Sequence, residues 1–341
     1  MAFTGKAAAV LQSKGCPNAT TAHQLLYKAR ITPNGTYKFF PRPREELEHY
    51  RVIVVDEVSM LPKPMWELLI KHGIYVLATG DPGQLPPIAE EDDNHVLKHP
   101  HVFLDEIMRQ AQDSEIIRLS MWIRDDKPLS SYKSTGEQVQ IYNKWEATSG
   151  MYMWADQVIC ATNDRRNEIN RTIRAEKGYD PNRPCLGDKI IGLHNHWDFM
   201  SCSHTWALTN GTIGTLEDYY VEDVRLPYYI EHKPIPYMYA QMKLEDEDTF
   251  AGIPIDYNQL LTGEQSLTGR QIYQMKKNDK CPEPPFDFAY AYGITCWKAQ
   301  GSEYDKVLGF EERHPFDRET HKKYLYTLTT RAKEKLVLIR K

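Results

Sequence analysis

No run of apolar residues in this chain approaches the roughly 18 that a helix needs to cross a bilayer. No signal peptide opens it, so a soluble chain with no membrane partner is expected. The 6 cysteines (Cys16, Cys160, Cys185, Cys202, Cys281, Cys296) include no C-x-x-C pair, which argues against a disulfide framework and for reduced thiols. His194, His196, Cys202 and His204 lie close in sequence but fit no zinc spacing, and read as a polar loop. Positive charge is not in excess either: 42 Lys and Arg against 47 Asp and Glu leave a net charge of -5. A polyanion would therefore have to be held by a local basic groove rather than by the whole molecule. Part of the negative charge is segregated between Glu217 and Asp248, a stretch expected to face away from such a partner. Internal repeats and low-complexity tracts are absent too.

What is present suits a globular chain of two or three domains: 341 residues, 41% hydrophobic and 26% charged. The first hundred residues alternate helix and strand signals, as an α/β layer does. Ala7 to Leu11 reads as a helix, Thr20 to Leu26 as the start of another, and Arg51 to Val55 and Tyr75 to Thr79 as strands. Such short β-branched runs are typical of parallel strands buried on both faces. Ile31 to Phe40, centred on Asn34-Gly35, reads as a β-hairpin carrying Tyr37, Phe39 and Phe40. Trp154 to Ala161 predicts a strand before a helix through Arg174, and Gly187 to Leu216 turns β-rich. An irregular, Pro- and Tyr-rich stretch follows to about Pro285. Strands at Ala289 to Thr295, Val307 to Phe310 and Leu336 to Ile339, with a helix over Lys322 to Arg331, restore the α/β character.

Chemistry concentrates in two loops. Val54-Val55-Asp56-Glu57 places adjacent carboxylates at the end of an apolar strand, where open α/β sheets hold their ligands. The first can hold Mg²⁺, directly or through water, and the second can orient and deprotonate an attacking water. By itself, an Asp-Glu pair after an apolar run is common. Gly80-Asp81-Pro82-Gly83-Gln84-Leu85-Pro86-Pro87 follows the next strand, 24 residues on, and should lie beside Asp56. A neutral Gln84 there can bond a γ-phosphate or the attacking water without adding negative charge.

Together these segments resemble motifs II and III of superfamily 1 helicases, and further motifs follow in order. Thr4-Gly5-Lys6-Ala7-Ala8 looks like motif Ia, and Thr20 to Leu26 is similar to the T-x-H-x-L-L segment of RecD and Dda proteins. Leu104-Asp105-Glu106-Ile107-Met108-Arg109-Gln110 resembles motif IV. Thr295-Cys296-Trp297-Lys298-Ala299-Gln300-Gly301-Ser302-Glu303 resembles motif V, and Tyr326 to Ala332 resembles motif VI. Gly187-Asp188-Lys189 with Asn210-Gly211 looks like the opening of this subgroup's SH3-like insertion. The ordered set spans residues 4 to 332 and is similar to superfamily 1B DNA helicases of the RecD and Dda type.

The resemblance implies an α/β fold of two RecA-like P-loop NTPase domains, with a β-hairpin pin and an SH3-like β-rich insertion. It implies a first RecA-like domain over 1–120, N-terminally incomplete, with the pin at about 30–42. The second would start over 121–186, be interrupted by the insertion at 187–285, and resume over 286–341. ATP with Mg²⁺ at Asp56 is the implied nucleotide, Glu57 the general base, and Gln84, Arg109 and Arg331 surround the γ-phosphate. Asp81, Gly301 and Glu303 complete the nucleotide site, Glu303 toward the sugar. Single-stranded DNA and a duplex fork are the implied partners, with 5′ to 3′ polarity and a cytoplasmic setting in a bacterial or phage-infected cell. The DNA contacts carried over are Thr4, Lys6, His23, Thr295, Trp297 and Lys298, with Phe39 on the pin.

Two departures matter. G-x-x-x-x-G-K-[ST] occurs nowhere in the chain, so it lacks the backbone cradle and lysine that hold β- and γ-phosphates. Weak or absent ATP hydrolysis by this polypeptide alone is expected, and a second polypeptide supplying that Walker A loop is a candidate partner. Trp297 stands where the family usually has His, and can stack but cannot accept a proton. The rival reading is a nucleotide-independent single-stranded DNA-binding module or a subunit of a replication or recombination complex.

Overall fold

The computed structural model describes residues 1–33, 37–87, 96–104, 114–312 and 317–340, apart from the side chains at 31 and 37. The chain divides into two compact units. One comprises 1–53, 67–76 and 179–291; the other comprises 54–66, 77–178 and 292–341.

In the first unit the helix Gly5–Ser13 starts at Thr4, whose hydroxyl accepts from Ala7 N–H at 3.2 Å. The short helix Ala22–Leu26 has a reciprocal capping box between Thr21 and Gln24. Strands β1 (Tyr27–Ile31) and β2 (Tyr37–Pro41) pair antiparallel from Tyr27 opposite Pro41 to Ile31 opposite Tyr37, which is the expected hairpin. Its turn Asn34-Gly35 lies outside the described residues.

That unit also holds a five-stranded antiparallel sheet. Its strands are β7 (Lys189–Gly192), β10 (Ile213–Val224), β11 (Ile235–Lys243), β12 (Thr249–Asp256) and β13 (Phe288–Tyr290), in the order β12-β11-β10-β7-β13. A separate short pair is formed by β8 (His196–Met200) and β9 (Ala207–Leu208). The stretch to Pro285 is therefore not irregular: long strands occupy it, together with the helices Tyr257–Thr262 and Gly269–Lys276. Prolines masked the pattern because Pro236 sits at the start of β11 and Pro254 on the edge strand β12, places where a missing N–H is tolerated. Leu216, Met238, Met242, Phe250, Ile253 and Phe288 close its core.

The second unit holds a five-stranded sheet in which every pairing is parallel. Its strands are β5 (Val139–Asn143), β6 (Gln157–Cys160), β14 (Gly293–Thr295), β15 (Tyr304–Phe310) and β16 (Ala332–Arg340), in the order β14-β6-β15-β16-β5. β6 is buried at every position, as a strand covered on both faces must be. Helices Glu115–Arg124, Asn163–Glu176 and Arg318–Thr329 accompany this sheet.

Three further expectations change. Trp154 ends a helix, Ser149–Trp154, and the strand begins only at Gln157. Ala289 to Thr295 is two strands, β13 in the antiparallel sheet and β14 in the parallel one, because a continuous apolar run does not reveal a change of partner. The strands β3 (Val52–Val55) and β4 (Tyr75–Ala78) pair with each other in a two-stranded sheet and are not buried on both faces. Val52, Val54, Tyr75 and Leu77 are about half or more exposed, since alternate residues of a strand point to opposite sides and only one side here is packed.

Candidate active site

The loops after β3 and β4 meet within the second unit. Glu57 adopts a left-handed backbone (φ 52°, ψ 49°) and opens a single 3-10 turn, Val58–Met60. A non-glycine residue in that region is strained, and such strain gathers at functional sites. Val58 N–H donates to Thr79 O and Thr79 N–H to Val55 O, both at 2.9 Å, and the Thr79 hydroxyl donates to Asp56 Oδ1 at 3.1 Å. Gly80 follows because a Cβ there would stand 2.9 Å from Val58 Cγ1.

The loop after β4 turns on Asp81, whose Oδ1 accepts from Gly83 N–H at 2.8 Å while its other oxygen accepts from Tyr326 OH at 2.6 Å. Beyond it Leu85 N–H donates to Thr327 Oγ1 at 2.8 Å, and Gln300 Nε2 donates to Leu85 O at 3.0 Å. Trp297 Nε1 donates to Pro86 O, also at 3.0 Å. Segments more than two hundred residues apart in sequence thus strap one eight-residue loop.

Buried Gln84 hydrogen-bonds the Glu57 carboxyl. Burial raises the proton affinity of Glu57, Asp56 and Asp81 add to that, and the nearby Arg331 opposes it. The guanidinium of Arg331 is itself buried and donates to Thr327 O at 3.0 Å, Ser302 O at 3.1 Å and Thr330 Oγ1 at 3.0 Å. A carboxyl held in a partly apolar site beside a fixed cation and an amide can take a proton from water while the cation faces developing negative charge. Asp56, Asp81 and the Thr79 hydroxyl supply hard oxygens of the kind Mg²⁺ takes when phosphates provide its other ligands.

Of the expected nucleotide residues, Asp56, Glu57, Asp81, Gln84 and Arg331 converge in this unit. Gly301 takes φ +73° ahead of β15, and Glu303 is exposed there. Arg109, with the rest of its motif from Asp105 to Gln110, lies outside the described residues. Tyr326, Thr327 and Thr79 were not singled out by sequence reasoning. The first two lay inside a recognised motif, yet nothing in their spacing foretells partners at Asp81 and Leu85.

The expected DNA residues fall into two groups. In the second unit Thr295 ends β14, and Trp297 and half-buried Lys298 lie on the helical turn Cys296–Ala299 that follows. Burial, then the charge of Arg166, hold Lys298 at about 8, well below a surface lysine. In the first unit Thr4 caps its helix, and Lys6 is lowered by burial and partly restored by Glu245. His23 packs its ring 5.7 Å from Phe3, 6.2 Å from Tyr27 and 5.3 Å from Phe39. Phe39 and Phe40 remain half-exposed, with the Arg30 guanidinium 5.4 Å over Phe40. His194 bonds Asp287 at 3.0 Å, and His196 stacks on Phe286 at 3.4 Å. No helix among the described residues is long and apolar enough to cross a membrane.

Two family models match the chain: AAA domain over residues 1–144 and UvrD-like helicase C-terminal domain over 290–339. Among similar solved structures is a Pif1 helicase from Bacteroides in complex with ADP-AlF3 and ssDNA, 16% identical with a TM-score of 0.55, covering 99% of this chain and 81% of that one. Bacteroides Pif1 bound to ssDNA is 15% identical with a TM-score of 0.51, over 99% and 87% of the two chains. Pif1 helicase from Candida albicans is 15% identical with a TM-score of 0.50, over 99% and 89%. At these identities the likeness to the solved structures is one of fold. No curated protein sequence matches the chain.

Proposed function

We propose that this chain, whose family-model matches and fold are those of a superfamily 1B DNA helicase, is the motor of an ATP-dependent helicase moving 5′ to 3′ on single-stranded DNA. The observation that carries this reading is the gathering of Glu57, Gln84 and Arg331 around one strand end. In it Glu57 takes the proton of the attacking water, Gln84 orients that water and Arg331 faces the γ-phosphate. Mg²⁺, held through Asp56, would neutralise phosphate charge. Arg109 is assigned to the same phosphate by motif alone.

Thr4, Lys6, His23, Thr295, Trp297 and Lys298 contact the DNA strand, and Phe39 on the hairpin meets the fork. Trp297 acts chiefly as a strap, since its indole N–H is engaged by Pro86. Domain limits of 1–120, 121–186, 187–285 and 286–341 are retained as the functional division, with the β-rich third segment as the SH3-like insertion. The setting we favour is the cytoplasm of a bacterial or phage-infected cell.

The 341 residues hold no G-x-x-x-x-G-K-[ST]. ATP hydrolysis by this polypeptide with single-stranded DNA is therefore expected to lie at least ~10²-fold below that of the same chain supplied with a phosphate-loop polypeptide. A normal helicase turnover by the 341 residues alone would overturn the deficiency. Failure of both preparations to bind nucleotide would overturn the motor assignment and favour a nucleotide-independent DNA-binding module.

A further inference from the structure

β10 is an interior strand at its start and an edge strand over the rest of its length. Only Ile213, Gly214 and Thr215 pair with β7. Two further bonds close that ladder, Gly187 N–H to Leu216 O and Leu216 N–H to Asp188 O, each 2.8 Å. From Asp218 to Val224 the one strand beside β10 among the described residues is β11. A proline reveals which way the main chain faces there. Pro236 stands opposite Asp223 and has no N–H to give, so these two form a non-hydrogen-bonded pair. Glu222 and Val224, on either side, then bond β11, while Tyr219, Val221 and Asp223 turn their main-chain groups to the open side. Tyr219 agrees with this direction: its N–H meets the carboxylate of Asp218 at 2.9 Å. Val221 and Asp223 make no further main-chain bond among the described residues.

An open ladder edge is a template for another strand, and proteins commonly blunt it with lysine, proline or a covering element. Between Glu217 and Val224 there is neither lysine nor proline. The bulge lies at the beginning, between Leu216 and Asp218, and the register is unbroken from there to Val224. Glu217, Asp218, Glu222 and Asp223 are exposed along this edge, and Tyr220 and Val221 between them are 61% and 44% exposed. Tyr220 is stacked on Tyr239 with ring centroids 5.1 Å apart. Glu217 accepts from Gln241 Nε2 at 3.1 Å and Asp218 from Tyr219 N–H, whereas neither Glu222 nor Asp223 forms an ion pair among the described residues. A second copy of this chain would bring like charges opposite one another, which is destabilising. A basic strand meets complementary charge on both of its faces, because Glu222 and Asp223 point to opposite sides of the sheet.

We propose that the open edge of β10, residues 218–224, docks an extended, lysine- or arginine-bearing segment of another protein, which joins the sheet as an added strand. Val221 and Asp223 supply the ladder bonds, and the carboxylates select the charge. None of these residues belongs to the proposed nucleotide or DNA set, so the inference stands independently of the motor reading.

The test uses the full 341-residue chain and fluorescein-labelled decapeptides, with binding read by anisotropy. A peptide of alternating threonine and lysine is expected to bind, and one of alternating threonine and glutamate to bind at least ~10-fold more weakly. The threonine-lysine peptide N-methylated at every amide keeps its charges but loses its donors, and should also weaken by ~10-fold or more. Val221→Pro removes one outward N–H where an edge strand tolerates proline, and should weaken the threonine-lysine peptide about tenfold. Glu222→Lys combined with Asp223→Lys leaves the backbone intact and should reverse the preference toward the glutamate peptide. Equal binding of the N-methylated and parent peptides would overturn the inference, as would equal binding of the lysine and glutamate peptides. A parent chain that binds no threonine-lysine peptide overturns it too. A dimer seen in sedimentation that Val221→Pro dissolves would assign the edge to a second copy, and that also overturns it.

Discussion

Glu57 combines a strained backbone with a carboxyl whose proton affinity burial has raised. Glu57→Gln is nearly isosteric and keeps the bond to Gln84, yet removes the proposed proton acceptor. With the phosphate-loop polypeptide added, its turnover is expected to fall by 10²- to 10⁴-fold, roughly what general-base catalysis contributes, while fluorescent ADP still binds. A raised Glu57 also places the acid limb of the rate profile at a higher pH than an exposed glutamate would give. Lys298 is shifted the other way: at about 8 it loses its proton in mildly alkaline buffer. Oligothymidylate affinity should therefore drop between neutral pH and about pH 9, and Lys298→Arg, which cannot deprotonate there, should flatten that dependence. The acidic pair was legible in sequence because two carboxylates after an apolar run are conspicuous. The engagement of Arg331 with three oxygens of its own surroundings was not, since it depends on where a helix end and a strand start come to lie.

The loop Gly80–Pro87 is held as an element by bonds from Tyr326, Thr327, Trp297 and Gln300. Tyr326→Phe leaves Asp81 without its hydroxyl donor, and about 2 kcal/mol of stability should be lost in urea unfolding, as for a hydrogen bond to a charged group. The helix Glu115–Arg124 has a different anchor. Its buried Glu115 carboxylate accepts from Thr135 N–H, Thr135 Oγ1 at 2.8 Å, Gln138 N–H at 3.3 Å and Val139 N–H at 3.1 Å. Burial alone would raise its proton affinity, but these donors outweigh it and hold it below the ordinary 4.5. A depressed carboxylate stabilises the fold above its unfolded value, and that stability disappears as pH falls through the folded one. Glu115→Gln should accordingly cost about 3 kcal/mol at neutral pH and narrow toward the parent in acid, as read by thermal melts. Element types were legible where a turn signal or a compact apolar run marked them, as at the Asn34-Gly35 hairpin and in β6, whose start was nonetheless set three residues early. They were obscured where prolines sit inside strands and where one apolar run serves two sheets, because composition carries no record of pairing partners.

At the scale of the molecule, the ordered motifs carry the fold class and point to the loops of the candidate site. The antiparallel sheet of the first unit carried little signal beyond its opening, its core being read from residues spread between Ile190 and Phe288. The last consequence concerns how the chain acquires its shape. β16 lies between β15 and β5, and β14 joins β6 only after more than 130 intervening residues. Closing such a long excursion carries an entropic penalty before any contact compensates it, and non-local pairing slows folding. During synthesis the parallel sheet must therefore wait, unclosed and with β5 still without its neighbour, until Ala332–Arg340 has emerged from the ribosome. Throughout that interval the nascent chain presents bare strand edges that a chaperone would have to shield.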